Sequence, residues 1–119
     1  MRLSIVIPAY NEEQRLPATL SAIIQHCEWQ RYRYEIIVVD DGSMDATRDV
    51  VEGMKNPQVL LNPARANKGK GYSVREGMLM AKGDWILFSD ADLSTPFEMI
   101  EKFLPLLENY LQTQIVPDV

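Results

Sequence analysis

Six carboxylates stand out in this chain by their positions: Glu12 and Glu13, Asp40 and Asp41, Asp90 and Asp92. Each pair closes or follows a short apolar run, LSIVIP at 3–8, YEIIVVD at 34–40 and DWILFS at 84–89. Runs of this kind suit strands buried on both faces of a parallel sheet. In such a sheet, ligands bind outside the carboxyl ends of the strands. The three acidic loops therefore share one predicted edge. Like charges gathered there raise one another's pKa and cost stability unless something neutralises them, and a bound divalent cation is a simple solution. One residue separates Asp90 from Asp92, so a turning backbone can aim both at one ion. Hard cations with oxygen ligands, Mg²⁺ or Mn²⁺, fit this pair and commonly share it with substrate phosphates.

Plainer readings stand beside these. Asp41-Gly42-Ser43 after a strand also reads as a turn and helix cap. A bare Asp-x-Asp is common, and Asn11-Glu12-Glu13 fits a solvated loop. The shared edge is what favours a site. A basic segment, Asn67-Lys68-Gly69-Lys70-Gly71, adds cations and glycines that permit close approach. Lys68 and Lys70, with helical N–H groups behind them, suit a diphosphate, and a solvated basic loop fits equally. Neither G-x-x-x-x-G-K-[ST] nor a G-x-G-x-x-G after the first run is present, which counts against nucleotide hydrolases and dinucleotide dehydrogenases. His26 reads as an exposed or capping residue, Cys27 as a small core residue, and Trp29 and Trp85 as packing anchors. Tyr72, beside the glycines, suits ligand contact and packing equally.

The elements that must position these groups follow from periodicity. The apolar runs predict three strands, and the weaker Gln58–Leu61 a fourth. Leu16, Leu20, Ile23, Ile24 and Cys27 recur at helical spacing, with Pro17 suited to a first turn. A second helix is predicted from near Ser43 or Asp45, burying Val50, Val51 and Met54. A third is predicted over 69–81, with Val74, Met78 and Ala81 inward. A fourth begins at Thr95, where Thr95-Pro96-Phe97-Glu98 forms a capping box, and Pro105 kinks or ends it. The order β-α-β-α-β-α-β-α predicts a doubly wound α/β sheet. Residues 109–119 carry no clear periodicity.

Length and composition bound the function. The 119 residues predict one domain, and 46% hydrophobic with 24% charged residues is enough for a real core. Twelve Lys and Arg against 17 Asp and Glu give a formal charge of -5, which disfavours general nucleic-acid binding. No apolar run approaches the ~20 residues of a membrane span, and the N-terminus does not read as a signal peptide. One cysteine excludes an internal disulfide and a cysteine-rich metal site, and a reducing, cytoplasmic setting is the plain reading.

Taken in order, SIVIPAYNEE, EIIVVDDGSMDAT, ANKGKG and ILFSDADLSTP resemble the family 2 glycosyltransferases of the GT-A fold, most closely the dolichyl- or polyprenyl-phosphate glucosyltransferases, with the mannosyltransferases near by. The resemblance covers residues 3–104. It implies a Rossmann-like three-layer sandwich with a mostly parallel sheet, incomplete at its C-terminus. Residues 1–108 would be the nucleotide-sugar-binding half and 109–119 an irregular tail. By this resemblance Pro8, Ala9, Tyr10 and Glu12 line the nucleoside pocket, with Val39 also at the donor site. Asp40 bonds the base, and Asp41 lies close behind it. Asp90, Ala91 and Asp92 match the family's Asp-x-Asp motif, with Asp92 the main metal ligand and Asp90 near the ribose or metal. Lys68 and Lys70 match a basic segment. The implied donor is of the UDP-glucose or GDP-mannose type and the implied acceptor a lipid phosphate, with membrane association in a full-length form. The chain departs from the family in its tail, which does not match the expected continuation. The acceptor site and the usual candidate base are expected beyond Val119, so no catalytic residue is assigned. Three readings follow: a lipid-phosphate glycosyltransferase, a fragment that binds donor without transferring it, and a transferase acting on a hydroxyl acceptor. A nucleotidyltransferase is disfavoured because Ala9-Tyr10-Asn11 supplies no glycine-rich loop.

Overall fold

The structure, a computed structural model, describes residues 2–63 and 67–91. Four strands, β1 (Arg2–Ala9), β2 (Arg33–Asp40), β3 (Val59–Pro63) and β4 (Trp85–Phe88), form a parallel sheet in the order β3-β2-β1-β4. Helices α1 (Leu16–Trp29), α2 (Thr47–Gly53) and α3 (Lys70–Met80) connect them. This is the doubly wound arrangement expected from the alternating runs, and the weak run at 58–61 is a strand that begins one residue later and ends two residues later. The expected helix from Thr95, its capping box, Pro105, the 109–119 tail and Asp92 lie outside the described residues.

Side-chain alternation along the central strands builds two cores. Leu3, Ile5, Ile7, Ile36 and Val38 face one side, where Leu16, Leu20, Ile23 and Cys27 of α1 and Val51 of α2 cover them. Val6, Ile37 and Val39 face the other, beneath the C-terminal end of α3 at Met80 and Ala81. Three layers result. Pro17 occupies the first turn of α1, where its missing N–H costs nothing. Cys27 is fully buried, and burial first, with the nearby Glu28 charge second, pushes its thiol up to about 12, so it packs as an inert apolar group.

Two expectations are corrected. The buried residues of α3 are Ser73 and Gly77, whereas Met78 is 49% exposed. The helix lies so near the sheet that a Cβ on Gly77 would stand 2.2 Å from Val6 Cγ1, so small residues rather than large ones make its inner face. Trp29 is 83% exposed at the end of α1 and lies outside the core of the described residues, while Trp85 packs against the main core as expected.

The first two loops at the carboxyl edge are stapled together. Asn11 takes a left-handed conformation (φ 53), which asparagine tolerates. Its N–H donates to Ser43 Oγ at 2.9 Å, and its Oδ1 accepts from the Met44 N–H. The Glu12 N–H donates to Thr47 Oγ1, and Asp45 accepts from the hydroxyl and N–H of Thr47 and from the Glu13 N–H. Partial desolvation pushes the Asp45 carboxyl up, but these hydrogen bonds outweigh it and hold the group below the usual carboxylate range. A depressed carboxylate stabilises the fold above its unfolded pKa, near 3.9, and loses that effect as pH falls through its lower folded value. Asp45→Asn is therefore expected to melt below the native chain at neutral pH, with the gap closing in acid. Melting curves over a pH series check this, and a gap independent of pH would contradict it.

Candidate functional site

The sheet order places the reversal of strand direction-of-travel between β1 and β4. From β1 the chain winds outward through β2 to β3, then crosses by α3 to the far side of β1. Such a switch point opens a crevice at the carboxyl ends of the two strands. A cavity of about 420 Å³ lies there, within the range of small-ligand sites. Pro8, Ala9, Tyr10 and Glu12 line it from the end of β1, Asp90 and Ala91 from the end of β4. Asp41 enters from the end of β2, and Asn67, Gly69, Lys70 and Ser73 from the start of α3.

Each wall is held by identifiable bonds. Asp41 accepts from the N–H groups of Lys68 at 2.7 Å and Gly69 at 2.9 Å, which fixes the entry to α3. Gly69 takes a φ of 96 there, a conformation that glycine adopts without a steric penalty. On the other side Thr19 of α1 donates its hydroxyl to the Ala91 carbonyl, and the Ser89 N–H donates to Val6 O. The peptide carrying Asp90 and Ala91 is thus tied to both α1 and β1. Lys70 Nζ reaches across the mouth to Asp90 Oδ1.

The expected crowding of carboxylates is resolved by the chain itself. Arg48 pairs with Asp40 at 2.5 Å, and Arg15 pairs with Glu12 at 2.6 Å. Backbone N–H groups hold Asp41, Thr47 and Glu13 hold Asp45, and Lys70 holds Asp90. A dication is therefore not needed to relieve Glu12, Asp40, Asp41 or Asp90. Among the described residues no three metal-ligating side chains form a cluster. The hard oxygen of Asp90, already beside one cation in a polar cavity, fits one ligand of a divalent ion, with Asp92 two residues on outside the described residues.

Eight of the expected site residues meet in the cavity: Pro8, Ala9, Tyr10, Glu12, Asp41, Lys70, Asp90 and Ala91. Three do not line it. Val39 is buried in the core beneath α3. Asp40 is fully buried on the opposite face, bound by Arg48 and by the Ser43 N–H. Lys68 turns its ammonium over the Tyr72 ring, 4.9 Å from its centroid. Ser73 lines the cavity and was not singled out by apolar periodicity. The signal for it is the small-residue spacing of Ser73 and Gly77 on one helical face.

Comparison with known proteins agrees with this architecture. Residues 4–118 match Glycosyl transferase family 2. The chain belongs to that family. Two relatives share its sequence closely. Dolichyl-phosphate beta-glucosyltransferase of Drosophila melanogaster is 42% identical over 111 residues, covering 86% of this chain and 34% of that protein. Undecaprenyl-phosphate 4-deoxy-4-formamido-L-arabinose transferase of Aeromonas hydrophila is 41% identical over 108 residues, covering 86% of this chain and 32% of its own length. The mannosyltransferase PcManGT from Pyrobaculum calidifontis, solved with GDP-Man and Mn²⁺, superposes with a TM-score of 0.68 at 26% identity over 76% of this chain and 27% of that one. The chain spans about a third of the length of the curated relatives it matches. These likenesses bear out the GT-A expectation for a member of the family. No described helix is long and apolar enough to cross a membrane.

Proposed function

We propose that this chain is the nucleotide-sugar-binding part of a metal-dependent, inverting glycosyltransferase that passes a hexose to a dolichyl or polyprenyl phosphate. The observation that carries this reading is the cavity at the β1–β4 switch point, which brings Tyr10, Lys70 and Asp90 together from three separate segments. The donor is of the UDP-glucose or GDP-mannose type. Pro8, Ala9 and the 42% exposed Tyr10 ring offer the nucleoside an apolar bed. Lys70 and the first turn of α3, whose N–H groups have no acceptor within the helix, favour the diphosphate.

Asp90 and Asp92 would hold the cation, Mg²⁺ or Mn²⁺. When bound, such an ion supplies charge neutralisation to the departing diphosphate. The acceptor oxygen attacks the anomeric carbon from the opposite face, forming one C–O bond as the bond to the diphosphate breaks. A phosphate acceptor is already anionic and needs little help from a base, whereas a hydroxyl acceptor needs one within hydrogen-bond reach. The setting proposed is cytoplasmic, with a lipid acceptor bringing the reaction to the cytoplasmic face of a membrane.

A second reading has its own support, since the chain spans a third of its relatives: it binds donor but does not transfer alone. Labelled nucleotide sugar with polyprenyl phosphate separates the two, and product from the 119-residue chain removes the second. Donor binding itself is tested by melting. UDP or GDP at ~100 times its Kd adds about 2.7 kcal/mol, or roughly 10 °C for a domain of this size. The shift is expected with Mn²⁺ and absent in Asp92→Ala. No metal-dependent shift in the unmodified chain would count against the site.

A further inference from the structure

The floor of the cavity holds a group that the donor-site reading leaves unused. Ser73 is fully buried one turn into α3, and its Oγ has no hydrogen-bond partner among the described residues. A buried hydroxyl left unmet costs stability, and alanine would fill the same helical position without that loss. Serine within a helix often turns its hydroxyl to the carbonyl four residues back. Here the Gly69 carbonyl accepts the Ser73 N–H at 3.2 Å and the hydroxyl does not share it. Ser73 instead lies in the cavity lining, together with Ala9, Asp41, Lys70 and Asp90.

We propose that Ser73 Oγ–H donates a hydrogen bond to a ribose hydroxyl of the bound nucleotide, making Ser73 a positioning and specificity residue for ribonucleotides. This rests on the nucleotide-sugar reading above. The neighbours select the ligand group. A phosphate oxygen has no proton to give, whereas a sugar hydroxyl can accept from Ser73 and give its own proton to a neighbouring carboxylate. Asp41 receives the N–H groups of Lys68 and Gly69 and Asp90 holds Lys70, and since a carboxylate oxygen accepts more than one hydrogen bond, either can take the sugar proton. Tyr10 at the rim offers the face for a base, and the ribose is the group joined directly to that base.

The test measures binding of UDP and GDP, and of their 2′,3′-dideoxy forms, to the native chain and to Ser73→Ala by calorimetry with Mn²⁺. Ser73→Ala is expected to weaken the ribonucleotide by about three- to tenfold, the loss of one neutral hydrogen bond. It should leave the dideoxy form unchanged, so the two losses do not add. The ligand-free variant should melt at or above the native temperature. Native affinity for the ribonucleotide in Ser73→Ala, or an equal loss for both ligand forms, overturns the assignment while leaving the donor site standing. A native chain that binds neither UDP nor GDP overturns the donor site, and this assignment with it.

Discussion

Replacing Asp90 with alanine is expected to lower nucleotide affinity in Mn²⁺ by at least about 100-fold, and by no more than about tenfold in EDTA, where a single hydrogen bond to the ribose is all that is lost. The magnitude follows from removing a direct ligand, since loss even of groups that only orient metal ligands costs about 10–100-fold. The geometry explains why the two conditions separate. Asp90 stands at the mouth of the cavity, its peptide fixed by Thr19 and β1, and Lys70 already lies against its carboxylate. That ion pair shows the position to be suited to a cation when no metal is present. Without the carboxylate, Lys70 and the first turn of α3 still attract a diphosphate, so a weak metal-independent component survives. Titrations of GDP or UDP under both conditions check this. Equal losses with and without metal would assign Asp90 to the ribose alone.

The largest stability effect is expected at the opposite end of the sheet. A Cβ added at Gly83 would stand 2.6 Å from Ser4 Oγ, 2.7 Å from Ser4 N and 2.9 Å from Arg2 O. Two of these are backbone atoms of the central strand and cannot yield. Gly83 also donates its N–H to Ser4 Oγ at 2.8 Å, Ser4 donates its hydroxyl to Glu35, and the Lys82 N–H donates to the same Glu35 oxygen. Glu35 is 3% exposed, with Arg2 3.6 Å from its other oxygen. A methyl group at position 83 pushes the loop off this network. Overpacking costs about 1–3 kcal/mol and an unmet buried polar group about 1–3 kcal/mol more. Gly83→Ala is therefore expected to lose roughly 2–6 kcal/mol by urea denaturation. An unchanged midpoint would mean that the loop is not clamped. Because the 81–84 loop leads into β4 and so to Asp90, the variant should also bind nucleotide more weakly wherever it remains folded.

Much of this was legible in the residues. Apolar runs locate all four strands, since a sheet covered on both faces selects unbroken hydrophobic segments. The acidic pairs point to the right edge because parallel strands share a direction. Other features needed the third dimension. Asp40 and Asp41 are adjacent, yet strand alternation sends Asp40 to the α2 side, where Arg48 eight residues on captures it, and Asp41 to the mouth of the cavity. That alternation could be counted along Ile36, Ile37, Val38 and Val39, but the partner Arg48 could not. The inner face of α3 escaped for another reason. Its closeness to Val6 demands small side chains, so the most buried positions are the least hydrophobic ones. Ser73 was hidden by the same inversion.

The central claim, that a metal-bound nucleotide sits at the β1–β4 switch point, is tested most directly by Mn²⁺ relaxation of backbone amide signals in the presence of GDP or UDP. Signals of Ala9, Tyr10, Lys70 and Ala91 should broaden first, and those of Trp29 and Arg33, at the far edge of the sheet, should stay sharp. Broadening centred on Glu13, Asp45 or the far edge, or none that depends on nucleotide, would contradict it.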